Sequence, residues 1–350
     1  MNRRVDEYFT RNNLNKTGDW RLLSKAVVMF AWFWGSYAAM VFWAESWWLI
    51  ALAAVSLGLA QAGIGFSVMH DGGHGASSRR RWLTRLAARS LDMIGGSSHL
   101  WAFKHNVIHH QYPNVDGVDH DIIVRPWLRM AESQERLSFH SKQHVYFPLA
   151  YAFLSGKWLL HDDFRTLITR RLGHVDLPPL KTRTVIEIVL WKIFALGWAL
   201  VLPIALHGVG FALATFVIWA SVSGVVLATV FQLAHCVDDA VLTDVPDQGE
   251  RMPNSWARQQ LATTVDFAPN NPFITWYVGG LNFQIEHHLF PKISHVHYPK
   301  IAPIVRQVCE EFGVRHHTQP SMRVALASHI RHLKELGQPP AHAQQPALET

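Results

Sequence analysis

The apolar residues of this chain gather into long blocks. Ala26 to Trp43, Trp47 to Met69, Val185 to Leu206 and Val209 to Ala234 are each about 18 residues or more with almost no charge, enough for a helix to cross a hydrocarbon core of roughly 30 Å. The pattern predicts four transmembrane helices paired as two hairpins, with turns at Ala44-Glu45-Ser46 and His207-Gly208. A fifth apolar stretch, Tyr146 to Leu160, is too short to cross and holds Pro148, Gly156 and Lys157. It is expected to lie at the membrane interface. The expected fold is therefore an all-α membrane protein, four transmembrane helices in two hairpins, with a cytoplasmic helical cap holding a histidine-rich di-metal site.

Charge sets the orientation. Neither hairpin turn carries Lys or Arg, and of the 32 basic residues only Lys192 falls inside a span. The positive-inside rule then puts both termini and the long middle segment in the cytoplasm. Met1 to Lys25 is charged and lacks an apolar core, so it reads as an N-terminal arm acting as an orientation signal and not as a cleaved leader. The tail Gly337 to Thr350 is rich in Pro, Gln and Ala, and disorder is expected there. Residues 26–336 between these ends form the main domain.

Composition agrees with a membrane chain: 49% hydrophobic, 17% charged and 15 Trp. The two Cys, Cys236 and Cys309, exclude a disulfide framework and a Cys-based metal site. A net charge of +6 on residues that flank spans favours anionic headgroups or an acidic protein over nucleic acid, which is not expected as a partner.

The chemistry lies in three histidine clusters. His70 and His74 stand at i and i+4; His105, His109 and His110 repeat that spacing and add a third ring; Gln284, His287 and His288 stand at i, i+3 and i+4. On helices these spacings stack ligand atoms on one face. From Trp47 to His74 is 28 residues, about 42 Å if helical, so the helix should outrun the bilayer by roughly 12 Å. The fourth span likewise should lift His235 to the same level. With two hairpins, all clusters emerge on one side of the membrane, and one site can form.

Eight histidines are too many for one four-coordinate ion; two ions with about four nitrogens each would use them. Asp116, Asp119 and Asp121 around His120 are candidates for ligands or for carboxylates that orient a metal-bound ring, and composition does not rank them. His99 and His120 are balanced between such a role and the surface. Arg79, Arg80 and Arg81, with Lys104 and Arg125, read first as topology and lipid contacts and alternatively as contacts to the phosphates of an acyl carrier. A two-metal site just above a helical bundle is where a lipid chain can arrive from the apolar interior. The reaction most in need of it is oxidation of an unactivated C–H bond by O2.

The residues that carry the clusters resemble a known family. His-x-x-x-His at 70 and 74, His-x-x-x-His-His at 105 to 110, Gln-x-x-His-His at 284 to 288, the run Gly-Gly-Leu-Asn-Phe-Gln-Ile-Glu-His-His-Leu-Phe-Pro at 279 to 291 and His-x-His-Tyr-Pro at 295 to 299 are similar to the histidine boxes of membrane fatty acid desaturases. The Gln-type third box resembles front-end members, which act between an existing double bond and the carboxyl end, and bacterial proteins called linoleoyl-CoA desaturases. The resemblance implies a bacterial inner-membrane enzyme with two iron ions, O2 as co-substrate, and an acyl-CoA or acyl-lipid substrate. It implies His70, His74, His105, His109, His110, His235, His287 and His288 as ligands, with Gln284 a ligand or a near neighbour.

No Gly-x-Gly-x-x-Gly fingerprint and no His-Pro-Gly-Gly occurs, so no bound NAD, flavin or haem is expected. Electrons are expected from a separate ferredoxin or cytochrome, which the basic face would suit. A hydroxylase of the same superfamily needs the same metals. A metal transporter or sensor would place its ligands near the bilayer midplane, where these spans carry only isolated polar residues such as Gln61, Glu187 and Lys192.

Overall fold

A computed structural model describes residues 1–243 and 255–339. The chain from Arg251 to Pro272, read from its sequence as a loop with short elements, holds the helix Trp256–Thr263 and the strand Asp266–Phe267, while its residues 251–254 and residues 340–350 of the expected disordered tail lie outside the described residues. The described chain is mostly helical, and its four candidate membrane helices are Trp20–Trp43, Trp47–Gly73, Thr182–His207 and Val209–His235. The remaining strands are two-residue pieces: Arg171–Leu172 pairs antiparallel with Val175–Asp176, and Asp266–Phe267 pairs parallel with Thr318–Gln319.

The first and third spans begin earlier than the apolar blocks do. Asp19 caps the first, its carboxylate accepting from Arg21 N at 2.9 Å, so Arg21 and Lys25 are helical. A hydropathy boundary stops at charge, whereas a helix continues as long as its backbone is bonded, and a long basic side chain can lay its stem along apolar surface. The second span runs past Met69 and ends at Gly73, which carries His70 on the same helix and leaves His74 as its cap. Gly208, with φ of +85°, ends the third span and turns the chain directly into the fourth, a conformation glycine adopts without a Cβ penalty.

The N-terminal arm has structure beyond an orientation signal. Asn2–Arg11 is a helix. Its Val5 and Phe9, at i and i+4, pack with Phe283, Ile293, Tyr298, Ile301 and Ala302, and Arg4 forks onto both carboxylate oxygens of Glu311 at 2.7 and 2.6 Å. The fifth apolar stretch is also longer than expected. Gln143–Lys157 continues through a wide π turn, Trp158–Asp162, to Thr169. Its Ser155 hydroxyl bonds that of Ser223 at 3.0 Å, and a Cβ at Gly224 would lie 2.6 Å from Tyr151 O. The absence of a side chain at Gly224 thus lets this helix seat directly on the fourth span. Its opposite side exposes Val145, Leu149 and Phe153.

Between the second span and the second histidine cluster lie two helices, Arg81–Met93 and Ser98–Ala102, broken at Gly95-Gly96. The break turns polar groups inward. Lys192, the one basic residue within the expected spans, reaches Asp163 at 2.7 Å and donates to Gly95 O at 2.5 Å and Trp158 O at 3.1 Å. Glu187 pairs with Arg89. Around them Trp198, Trp219, Phe33 and Tyr37 form an aromatic core, in which the Tyr37 hydroxyl donates to Trp198 O at 2.6 Å.

Candidate metal centre

The first two histidine clusters reach the centre by a local departure from a plain α-helix. A π segment, Ile64–Met69, directly precedes His70. The second cluster sits within another, Phe103–His109, and His110 N donates to His105 O at 3.0 Å in the wide i→i+5 pattern. In an α-helix residue i+5 lies about 140° round from residue i. With roughly four and a half residues per turn, i+4 and i+5 straddle the face of residue i. The π form is what lets His105, His109 and His110 look the same way.

The third cluster is on a short helix, Gln284–Leu289. The approach to it depends on Gly279, whose φ is +62° and where a Cβ would lie 2.2 Å from Phe66 O. That contact presses the third cluster against the π segment that leads to the first.

The structure brings all eight candidate histidines together. Ring nitrogens of His70, His74, His105 and His287 lie within 4.8 Å of one another, as do those of His109, His235 and His288, and His110, His287 and His288 join the two groups. His287 and His288 are fully buried, and His74 is partly so. Trp101 stacks on His105 with centroids 4.4 Å apart and covers one side.

Outer partners hold the rings by their Nδ1 atoms. His109 Nδ1 donates to Asp119 Oδ2 at 3.0 Å, His288 Nδ1 to Gln260 Oε1 at 2.7 Å and His235 Nδ1 to Thr263 O at 3.2 Å, while His287 Nδ1 lies 3.2 Å from the Tyr298 hydroxyl. This fixes the tautomer that leaves Nε2 with a lone pair. Nε2 of His109, His287 and His288, and also of His74 and His110, is buried without a hydrogen-bond partner among the described residues. Orphaned buried nitrogens on this scale are costly, and an ion would satisfy them together. His70 and His105 point Nε2 at each other across 3.2 Å, close to the roughly 3.0–3.4 Å between nitrogens bound about 2.0–2.1 Å from one ion.

Burial, and then repulsion from neighbouring imidazoles, hold His105, His110, His287 and His288 well below the ordinary histidine range. They are neutral donors. His109 goes the other way: burial lowers it, but Asp119 beside it prevails and raises it. The donor set fits two cations held by nitrogen.

Other candidates separate by position. Asp119 is fully buried and also accepts Asn114 N and Asp121 N. Asp121 lies 3.5 Å from His109 and pairs with Lys104 at 2.5 Å. Asp116 is not brought to the histidines: Ser133 and Gln134 hold it at 2.7 Å each, with Arg125 at 3.4 Å. Nor does Lys104 stand free to meet a phosphate. Burial lowers its pKa, but Asp121 outweighs that and raises it. His120 is half-buried against Gly173, His99 is exposed, and Arg79, Arg80 and Arg81 are at the start of the Arg81–Met93 helix. The Gln284 amide donates to His235 Nε2 at 2.9 Å, which makes it a neighbour of the second group. His295 stays outside, bonded between Asp71 at 3.0 Å and Lys25 at 3.1 Å.

Sequence reasoning missed Gln260, Thr263, Trp101 and Tyr298. Tyr298 stood within the quoted His-x-His-Tyr-Pro run, whereas nothing near Gln260 marks it.

The model of the fatty acid desaturase family matches residues 45–320. The chain belongs to this family. It is 38% identical over 340 residues to an sn-1 linoleoyl-lipid 6-desaturase of Arthrospira platensis, covering 96% of this chain and 91% of that one. It is 33% identical to an sn-1 linoleoyl-lipid 6-desaturase of Synechocystis sp., covering 96% and 94%. An acyl-lipid (8-3)-desaturase of Physcomitrium patens is 36% identical, with 96% of this chain matching 71% of that protein. The desaturase is thus an oxidoreductase of the front-end acyl type, and the transporter and sensor readings fall away.

Proposed function

We propose that the desaturase is an O2-dependent di-iron enzyme that inserts a double bond into the acyl chain of a membrane lipid, on the carboxyl side of one already present. The observation that carries this reading is the pair of inward-facing imidazole groups at the end of the spans. Two irons held there would supply oxidation of an unactivated C–H bond. Overall, adjacent methylenes lose two hydrogens, and with O2, two electrons and two protons give an alkene and two waters.

His70, His74, His105 and His287 would hold one iron and His109, His110, His235 and His288 the other. Asp119, Gln260, Thr263 and Tyr298 orient the rings, and Trp101 shields His105 from water. Two relatives are named for position 6 of a linoleoyl chain. That chain already has double bonds, and position 6 lies on their carboxyl side.

The spans form two hairpins with both termini and the centre in the cytoplasm, a reading supported by the basic residues outside the spans. The stretch Gln143–Lys157 lies against the membrane with Val145, Leu149 and Phe153 toward lipid. Residues 26–336 act as one domain. A separate ferredoxin or cytochrome delivers electrons, and Arg79, Arg80 and Arg81 face anionic headgroups.

The test is lipid analysis of cells expressing the chain or a His287→Ala, His288→Ala variant, fed fatty acids with and without an existing double bond. A new carboxyl-side double bond that vanishes in the variant is expected. A hydroxylated product would transfer the chain to the sister reaction, and a purified protein without iron would overturn the reading of the centre.

A further inference from the structure

A second cluster of ligand atoms lies behind the third histidine box. Asp266, on the short strand Asp266–Phe267, faces Glu286 of the Gln284–Leu289 helix and His316 of the segment before Thr318–Gln319. One ligand atom of each lies within 4.8 Å of the others. His316 Nε2 is 3.2 Å from Glu286 Oε1 and 3.8 Å from Asp266 Oδ2.

Both carboxylates are completely buried, and the His316 side chain is only 4% exposed. Asp266 Oδ2 and Glu286 Oε2 have no hydrogen-bond partner among the described residues, and no Lys or Arg there forms an ion pair with either acid. Two buried carboxylates without a cation are an expensive arrangement. Asp266 Oδ1 accepts Ile285 N at 3.0 Å, and His316 lies between the Thr318 hydroxyl, 3.1 Å from Nδ1, and Glu286 Oε1, 3.2 Å from Nε2. With its proton on Nδ1 the ring would offer Nε2 to an ion between the acids.

We propose that Asp266, Glu286 and His316 bind a third metal ion, a divalent first-row transition ion of the zinc or manganese kind. Two carboxylate oxygens and one imidazole nitrogen are a donor set such ions accept. Ligands about 2.0–2.2 Å from one ion stand roughly 3.0–3.6 Å apart, so the present separations need only small side-chain rotations. None of the three residues belongs to the desaturase centre. The ion would tie the helix of the third box to the Asp266 strand and to the C-terminal segment through His316, so its role is structural.

The experiment is elemental analysis of the full-length chain purified in detergent, after dialysis against zinc or manganese and removal of loosely held ions. The wild type is expected to hold one zinc or manganese per chain beyond its iron. His316→Ala and, separately, Asp266→Asn should lose that ion while retaining the iron spectrum of the wild type. Wild-type protein with no ion beyond iron overturns the proposal and leaves a proton shared by the two acids as their neutralisation. Retention of the extra ion by both variants also overturns it. Absence of iron from the wild type would instead count against the di-iron reading alone, since the third ion is counted separately.

Discussion

Asp119 is the residue on which the position of His109 depends, and Asp119→Asn isolates that dependence. The carboxylate accepts three donors, His109 Nδ1 and Asn114 N on one oxygen and Asp121 N on the other, at 2.9–3.0 Å. An amide of the same shape keeps one acceptor oxygen and replaces the other with an NH2 group. If its oxygen stays with His109 and Asn114, Asp121 N is left facing a donor, which costs about 1–3 kcal/mol of folding stability. The ring also loses the negative charge that strengthens it as a ligand. Removal of such an outer partner commonly weakens metal binding about 10–100-fold, equivalent to roughly 1.4–2.7 kcal/mol. Because Asp119 touches the group of His109, His235 and His288 and not that of His70, His74 and His105, one of two irons should become labile first. The assay is iron per chain during titration with a chelator, beside thermal unfolding in detergent. Asp116→Asn is the matched control, since its carboxylate holds Ser133 and Gln134 and touches no histidine. A folded Asp119→Asn protein that keeps both irons with wild-type affinity would refute the reasoning, as would equal iron loss in the control.

Lys192→Met should destabilise by about 3–5 kcal/mol by leaving Asp163 buried and unpaired, and the double change Lys192→Met, Asp163→Leu should recover most of it; denaturation midpoints of these two and the wild type check this. Burial pushes Asp92 up to about 6 from the ordinary 3.8, against the lowering effect of its bonds from Ser98. A buried acid with a raised pKa takes up its proton more readily folded than unfolded, so its contribution is most favourable below about 3.8, declines as pH rises, and levels off above about 6. Asp92→Asn should therefore gain up to roughly 3 kcal/mol over the wild type at neutral pH, with the gain disappearing near pH 4; stability measured against pH would show a constant difference if the account were wrong.

The spans and the histidines were legible because each rests on local information. A charge-free block long enough to cross a bilayer, and imidazoles at helical spacing, can be counted along the chain. The limits of the spans were less so, because Arg21 and Lys25 continue a helix whose hydropathy has already ended. What could not be counted were contacts between distant segments. Asp116, Asp119 and Asp121 look alike in sequence, yet only the fold of the loop turns Asp119 onto His109. Gln260 reaches His288 from another helix 28 positions away. The N-terminal helix is similarly obscure, since Val5 and Phe9 have meaning only beside Tyr298 and Ile301.

That docking of the N-terminal helix bears on the order of assembly. Arg4 meets Glu311 across 307 positions, and Val5 and Phe9 pack on Tyr298, whose hydroxyl faces His287. The N-terminal helix therefore waits for segments some 300 positions later before its own packing exists. His70, His74, His105, His109 and His110 can gather as the earlier segments emerge, but the rings that complete both groups, His287 and His288, come much later in the chain. Metal loading accordingly follows the emergence of the third cluster, and a polypeptide cut just before Tyr298 would keep every candidate ring but lose contacts on which the N-terminal helix rests.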